Sequence, residues 1–506
     1  MNALTTFSWM ILLPLVASPF IYIIGRITVR RRPRVRVNPA GWLAGLVLLA
    51  TGIFLYFTTS AYQAQSAGDH MTLTIGAVGL NLDGISLLLA AVVITLSLLV
   101  TIFSIVYMRG EAGEEKFYAM LVAMTGTIIG LGCAADLFNL WVWFECMAIT
   151  SYLLVAFYRN EKPALEAGFK YLVQSAVGSV LVLLGISIVF GQTGSLDMSA
   201  IPALLQSSKP ILLAAAAMII IGFGVKAALV PMHTWLPDAH SQAPSGISAM
   251  LSGIVIEAGL IAMLRALGGL TNVSHVWGAV LMGFGAINIV LGNLMALRQT
   301  QVKRLLAYSS IGHVGYMLAG FGIALAFGIP EGAQGGFFHL ITHALMKGLA
   351  FLAAGALLYA LYLSKHKHQP LTVADLDGAS RRYPLVAFTF SVAVLSLGGL
   401  PPLAGFMSKW QIFVAGFQSQ NILAILLILL AAFNSVLSLG YYAPLVNRMY
   451  RREQSEAVRE GSHVSWLISL PLVLLTLAVI VLGFWPTLLD CLTAPAAHTL
   501  MAAFGG

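Results

Sequence analysis

The stretch GVKAALVPMHTWLPDAHSQAP, Gly224 to Pro244, decides how this chain is read. It sets a lysine, two histidines, an aspartate and three prolines into a sequence of 506 residues that is 59% hydrophobic and only 9% charged. Soluble domains are about 25% charged. Repeated apolar runs of about 20 residues mark a polytopic membrane protein. The run that ends in this stretch carries Lys226 well inside the expected span 211–231. Pro231 then removes an amide donor and frees a carbonyl one turn back, near Ala227. Pro237 and Pro244 are expected to keep the following segment irregular. Non-helical backbone at membrane depth is tolerated where it lines water or is buried in protein.

Outward from this point the apolar runs give fourteen expected spans, all helical because lipid offers no partner to an exposed backbone group. The N-terminal run TTFSWMILLPLVASPFIYIIG reads as the first of them, not as a signal peptide, since no basic flank precedes it. With the N-terminus outside, the inner loops and their flanks hold 22 of the 27 Lys and Arg residues, and the outer ones only Lys209 and Arg265. That asymmetry places both termini outside a cell membrane. It also accounts for the net charge of +8 without nucleic acid as a partner. The three cysteines, Cys133, Cys146 and Cys491, have no metal or redox spacing. No Gly-rich phosphate loop follows a strand, so redox and nucleotide chemistry belong to partners, not to this chain.

An ionisable side chain at mid-span costs at least about 2.5–3.5 kcal/mol on insertion scales. This chain carries a series. Glu145 lies in FNLWVWFECMAIT with no neutralising neighbour in sequence. Lys226 reads as a group that gains and loses a proton, or as one held in a permanent pair with a carboxylate. His233 and His240 flank the break as relay groups or as backbone-bonded loop residues, and Asp238 reads as a turn residue. Glu257, in LSGIVIEAGL, lies one helix from Lys226, where an ion pair with it is expected. His339, His343 and Lys347, at i, i+4 and i+8, share one helix face. Two histidines at i, i+4 can bind zinc, but no glutamate follows the first as in a metalloprotease. His313 lies deeper than Lys303 and Arg304, beside Ser309 and Ser310. Lys409 follows a second proline break, Pro401-Pro402. Acids and bases alternating along such a row suit proton movement, because each charge shifts its neighbour's affinity for a proton.

The motifs DGISLLLA, FNLWVWFE, GFKYLVQSAVGS, the block from Gly224 to Gly253, VKRLLAYSSIGHVGYM, FHLITHALMKGLAFLAAG and GLPPLAGFMSKW span about residues 80–450. They resemble the antiporter-like, proton-pumping subunits of respiratory complex I, a family shared with energy-converting membrane-bound hydrogenases and Mrp-type Na+/H+ antiporters. The resemblance implies an all-α fold of fourteen helices, the seventh and twelfth broken, with two inverted five-helix repeats. It divides the chain into N-terminal helices (1–110), a first repeat (111–270), a second repeat (271–450) and a C-terminal helix with tail (451–506). It implies that Glu145 pairs with Lys226, that Lys409 serves the outlet half-channel, and that His313, His339, His343 and Lys347 lie on the axis between; His240, beside the break, is expected to serve the cytoplasmic entrance. It places flavin, iron–sulfur, quinone or NiFe centres in partner subunits: other integral membrane subunits and a peripheral redox arm. The ion it implies is H+, with Na+ as the alternative. The chain ends soon after the fourteenth span, so no long lateral helix is expected. One position departs: many relatives carry lysine in a block like LSGxxIKxG, and this chain has Glu257 there.

Overall fold

The computed structural model describes residues 3–31, 38–63, 71–76, 78–205, 210–365 and 368–505. Residues 32–37 of the basic inner loop, Lys367 and the outer-loop Lys209 lie outside them. The helices considered below are α1 (Ala3–Arg31), α2 (Ala40–Gln63), α3 (Gly84–Tyr107), α4 (Glu114–Gly132), α5 (Leu137–Val155), α6 (Lys162–Thr193), α7 (Pro210–Lys226) and α8 (Trp235–Gln242). They continue as α9 (Ser245–Gly268), α10 (Trp277–Ala296), α11 (Val302–Phe327), α12 (Pro330–Leu361), α13 (Pro384–Gly398), α14 (Ala404–Gln418), α15 (Ile422–Met449), α16 (Trp466–Phe484) and α17 (Asp490–Ala503).

Among the described residues, eleven helices are long and apolar enough to cross a membrane. The other expected spans fall on α4 and on two interrupted segments, α7–α8 and α13–α14. Helices α3, α9, α11 and α12 are mostly enclosed by protein, whereas α1, α2 and α15 turn most of their apolar surface outward. A helix that is apolar all round belongs in such a setting. Glu257, His313, His339, His343 and Lys347 sit on these enclosed helices, and Lys226 and Lys409 on the two interrupted segments.

Local chemistry sets the helix ends. Asp136 caps α5 by accepting from the Asn139 amide, and Pro384 occupies the first turn of α13, where its missing N–H costs nothing. An antiparallel hairpin, β1 (Met71–Ile75) and β2 (Val78–Leu82), precedes α3. Asp83 then forms a capping box with Ser86 at the start of α3 and an ion pair at 2.8 Å with Arg265 in the last turn of α9. That pair pins one end of the buried α9 to the start of α3. The hairpin and the terminal α17, which packs beside α3 and α12, lie outside the fourteen expected spans.

The two breaks differ in detail from expectation. Helix α7 stops at Lys226 itself, and helical structure resumes only at Trp235. Lys226 is therefore the last residue of a half-helix, with no helix continuing past it toward Pro231. Pro237 is not a breaker: it lies in the first turn of α8, where the amide it lacks would have no intrahelical partner. In the second segment, α13 ends at Gly398, and Gly399 adopts a φ of +85°, a left-handed conformation that suits glycine. Pro401 and Pro402 lie between α13 and α14. Both breaks contain a cis peptide bond, Val230–Pro231 and Pro401–Pro402.

Candidate functional site: a buried row of titratable side chains

The first break is built around Lys226, which is 1% exposed. Its Nζ donates to the Tyr171 hydroxyl at 2.8 Å and lies 3.4 Å from the hydroxyls of Ser151 and Ser175. It also stands over the Tyr171 ring, 4.4 Å from the centroid. The open carbonyls at the end of α7 find other partners. Trp235 Nε1 donates to the Val225 carbonyl at 2.7 Å, and its ring stacks on Tyr171 at 3.8 Å. The buried Asn288 of α10 accepts from the Val230 amide at 2.9 Å and directs its NH2 at the carbonyls of Ala228 and Ile311, each at 3.4 Å. One amide thus satisfies non-helical backbone that lipid could not and ties it to α11.

Glu145 is half-buried on α5, and its Oε1 is enclosed without a partner. Among the described residues no ion pair joins it to Lys226. The expected pair is replaced by the hydroxyl cage, because the end of α7 faces the Ser151 and Tyr171 hydroxyls.

Glu257 lies two residues after a π-helical turn, Leu251–Val255, inside α9. A π turn shifts the side-chain register and recurs at functional sites. The Glu257 carboxylate does not reach Lys226 as an ion pair. Its Oε1 meets His343 Nδ1 at 2.7 Å, both side chains fully enclosed. Glu257 Oε2 and His343 Nε2 have no partner. Gly259 keeps α9 close to Lys226: a Cβ there would come within 2.9 Å of the Lys226 Cβ and the Ala227 amide.

From His343 the row runs through packed imidazoles. The rings of His343 and His313 lie 5.1 Å apart. His313 Nδ1 meets His339 Nε2 at 3.0 Å, and His339 Nδ1 meets Ser408 Oγ of α14 at 2.8 Å. The Tyr316 ring lies 5.7 Å from His339 and 4.8 Å below the Lys409 amine. Lys409 Nζ donates to the Leu397 carbonyl at 2.8 Å and to Ser435 Oγ at 2.9 Å, capping the end of α13. Lys347, on the same stripe as His339 and His343, donates to the Leu306 carbonyl at 2.8 Å and to the Ser309 hydroxyl.

His240 stands apart from this row. Its ring stacks on Phe351 at 4.6 Å, and neither ring nitrogen has a partner. The residues after it, Ser241 to Ala243, line a cavity of about 240 Å³ shared with Tyr107, Glu161 and Lys303. His233 is half-buried with an unpartnered Nδ1. Asp238, read as a turn residue, holds Arg304 at 2.6 Å and Lys170 at 3.2 Å from the first turn of α8.

Sequence reasoning passed over Asn288, Tyr171, Ser151, Ser175, Ser408 and Ser435. Each is a polar residue in an apolar run, and only Asn288, in GFGAINIVLGN, is conspicuous by its cost of burial.

The architecture and this row define a multi-pass membrane protein whose core holds a row of titratable side chains. The family model described as "NADH:quinone oxidoreductase/Mrp antiporter, TM" matches residues 134–438, and one described as "NADH-Ubiquinone oxidoreductase (complex I), chain 5 N-terminus" matches residues 73–118. The chain belongs to the NADH:quinone oxidoreductase/Mrp antiporter family. It is 33% identical over 476 residues to "F(420)H(2) dehydrogenase subunit N" of Methanosarcina mazei, covering 92% of this chain and 93% of that one. Among solved structures it matches a chain of the archaeal membrane-bound sulfane sulfur reductase with 27% identity and a TM-score of 0.84, covering 98% and 99% of the two chains. It also matches a chain of the Mrp complex from a Dietzia species with a TM-score of 0.83 over the full length of both, at 20% identity, which carries the fold alone.

Proposed function

We propose that this chain is a proton-translocating, antiporter-like membrane subunit of a multisubunit redox-driven complex of the complex I or membrane-bound hydrogenase type. The observation that carries the reading is the enclosed series from Lys226 through Glu257, His343, His313 and His339 to Lys409, which runs between two broken helices. Lys226 ends one half-helix, and the Lys409 amine reaches back to the C-terminal end of another, where exposed carbonyls and the helix dipole favour a cation. Proton arrival at one station alters the next through low-dielectric surroundings. The stations offer ring nitrogens, amines and hydroxyls, which suit H+ better than the oxygen cage a hard metal ion requires.

The two breaks, five spans apart and so in opposite orientation, support inverted repeats over residues 111–270 and 271–450. Charge in the loops supports a cell-membrane location with both termini outside. Redox centres then reside in partner subunits, because the relatives at 33% and 27% identity belong to redox complexes. The competing reading, an Mrp-type Na+/H+ antiporter subunit, draws on a shared fold at 20% identity. A third reading, a structural subunit that does not pump, leaves the cost of burying the series without a return.

The test is proton uptake by the intact complex in proteoliposomes, driven by its electron donor. Lys226→Ala and Glu145→Ala complexes that assemble and pump as the wild type would overturn the proton path. Uptake that persists without an electron donor, driven by a Na+ gradient, would favour the antiporter reading.

A further inference from the structure

Ser408 belongs to no part of the row as the sequence presents it, yet it joins the row to the second broken helix. It lies on α14 one residue before Lys409 and is fully enclosed, as is His339. Its hydroxyl has two neighbours: the Gly405 carbonyl at 3.2 Å and His339 Nδ1 at 2.8 Å. A hydroxyl has a single hydrogen to give, and a carbonyl can only accept. Back-bonding of a helical serine to the carbonyl three residues earlier is a common use of that hydrogen. With the hydrogen on Gly405, the Ser408 oxygen is an acceptor, and His339 Nδ1 must carry a proton to meet it. A neutral His339 then has a bare Nε2, and His313 Nδ1, 3.0 Å away, must be the donor in that contact. One serine therefore fixes the tautomer of two imidazoles in sequence.

We infer that Ser408 is a positioning residue that holds His339 and His313 in their Nδ1–H tautomers and so orients the histidine wire toward α14. The inference rests on the proton-conducting reading above. In this state His313 Nε2 is the open acceptor. When it takes a proton, an N–H bond forms there. The N–H bond at His313 Nδ1 breaks, and its proton forms a new bond at His339 Nε2. His313 returns to neutrality in the opposite tautomer, and His339 becomes the cation. His339 then holds two N–H groups, one of them on Ser408, beside the Tyr316 ring over which Lys409 stands. The opposite arrangement, with Ser408 donating to His339, would leave His339 Nε2 protonated and unable to receive from His313.

The experiment uses the intact complex with 15N-labelled histidine in proteoliposomes. Solid-state NMR reads the tautomers, with a His339→Gln complex used to assign the signal, and dye quenching reads proton uptake per electron-donor turnover. In the wild type His339 is expected as a neutral Nδ1–H ring. Ser408→Ala is expected to scramble that tautomer and lower uptake about tenfold, the scale of losing an orienting partner of a functional histidine. Ser408→Thr, which keeps the hydroxyl, is expected to restore both. A resting wild-type His339 protonated at Nε2 with bare Nδ1 overturns the inference even if the alanine variant fails to assemble. So does a Ser408→Ala complex with unchanged tautomer and uptake while His339→Gln abolishes uptake; that outcome leaves the proton path standing. Full uptake in His339→Gln removes the path at this point, and the inference with it.

Discussion

The two breaks solve one problem in different ways. At the first, Lys226 ends its own half-helix, and its amine is surrounded by hydroxyls. The carbonyls and amides of the break are satisfied by others, Trp235 and Asn288. At the second, Lys409 begins on the far half and reaches back, so that its amine is itself the cap of α13 through Leu397, with Ser435 bridging to Gly398. The hydroxyl of Tyr171 can donate or accept, so the first cage serves a lysine in either protonation state. Leu397 offers a carbonyl, and the Ser435 hydrogen is already given to Gly398, so the second cage presents acceptors alone. The contrast teaches that the first lysine can change its protonation without uncapping a helix, whereas the second would leave the Leu397 carbonyl uncapped if it gave its proton up.

That contrast can be broken at several points. The largest effect is expected from Lys226→Ala, which empties the first station: proton uptake per turnover should fall at least about 100-fold, on the scale of losing a general acid–base group, with the complex still assembled. Retained uptake would move the exchanging site elsewhere. Next, Glu257→Gln keeps the shape but removes the titratable carboxyl that meets His343. Uptake is expected to drop about tenfold, short of that scale because the amide still meets His343; an unchanged rate would reduce the pair to a fixed hydrogen bond. Asn288→Leu strips the first break of its cap. It leaves the Val230 amide and the Ala228 carbonyl unpaired and should cost about 1–3 kcal/mol per orphaned group, read as a lower inactivation temperature of the purified complex. A matching loss in Ser435→Ala would erase the distinction between the breaks. The smallest change is expected in Tyr171→Phe, which removes one neutral hydroxyl worth about 1 kcal/mol. Uptake should slow several-fold while assembly stays intact, because the ring remains stacked on Trp235.

Much of the architecture is legible in the chain. Apolar runs, loop charge and proline pairs carry the helices and the two interruptions, because bilayer thickness and backbone satisfaction leave few options. The ionisable residues are legible for the same reason: each is costly where it stands. What the sequence misplaced are partnerships. Glu145 and Glu257 were both natural mates for Lys226 by sign and by neighbouring helices, yet neither forms an ion pair with it. The π turn before Glu257 and the closeness allowed by Gly259 decide where that carboxylate points. Pro237 shows the same limit, since a proline's effect depends on whether it falls in the first turn or later.

The sequence by itself determined that this is a multi-pass helical membrane protein with a costly polar series, because burial energies act on each residue alone. Only the tertiary structure decided that Asn288 caps the first break, that Lys226 rests among hydroxyls, that Glu257 meets His343, and that Ser408 meets His339. Hydrogen bonds are directional and span only about 3 Å, so residues dozens of positions apart become partners only once helix packing has fixed their faces.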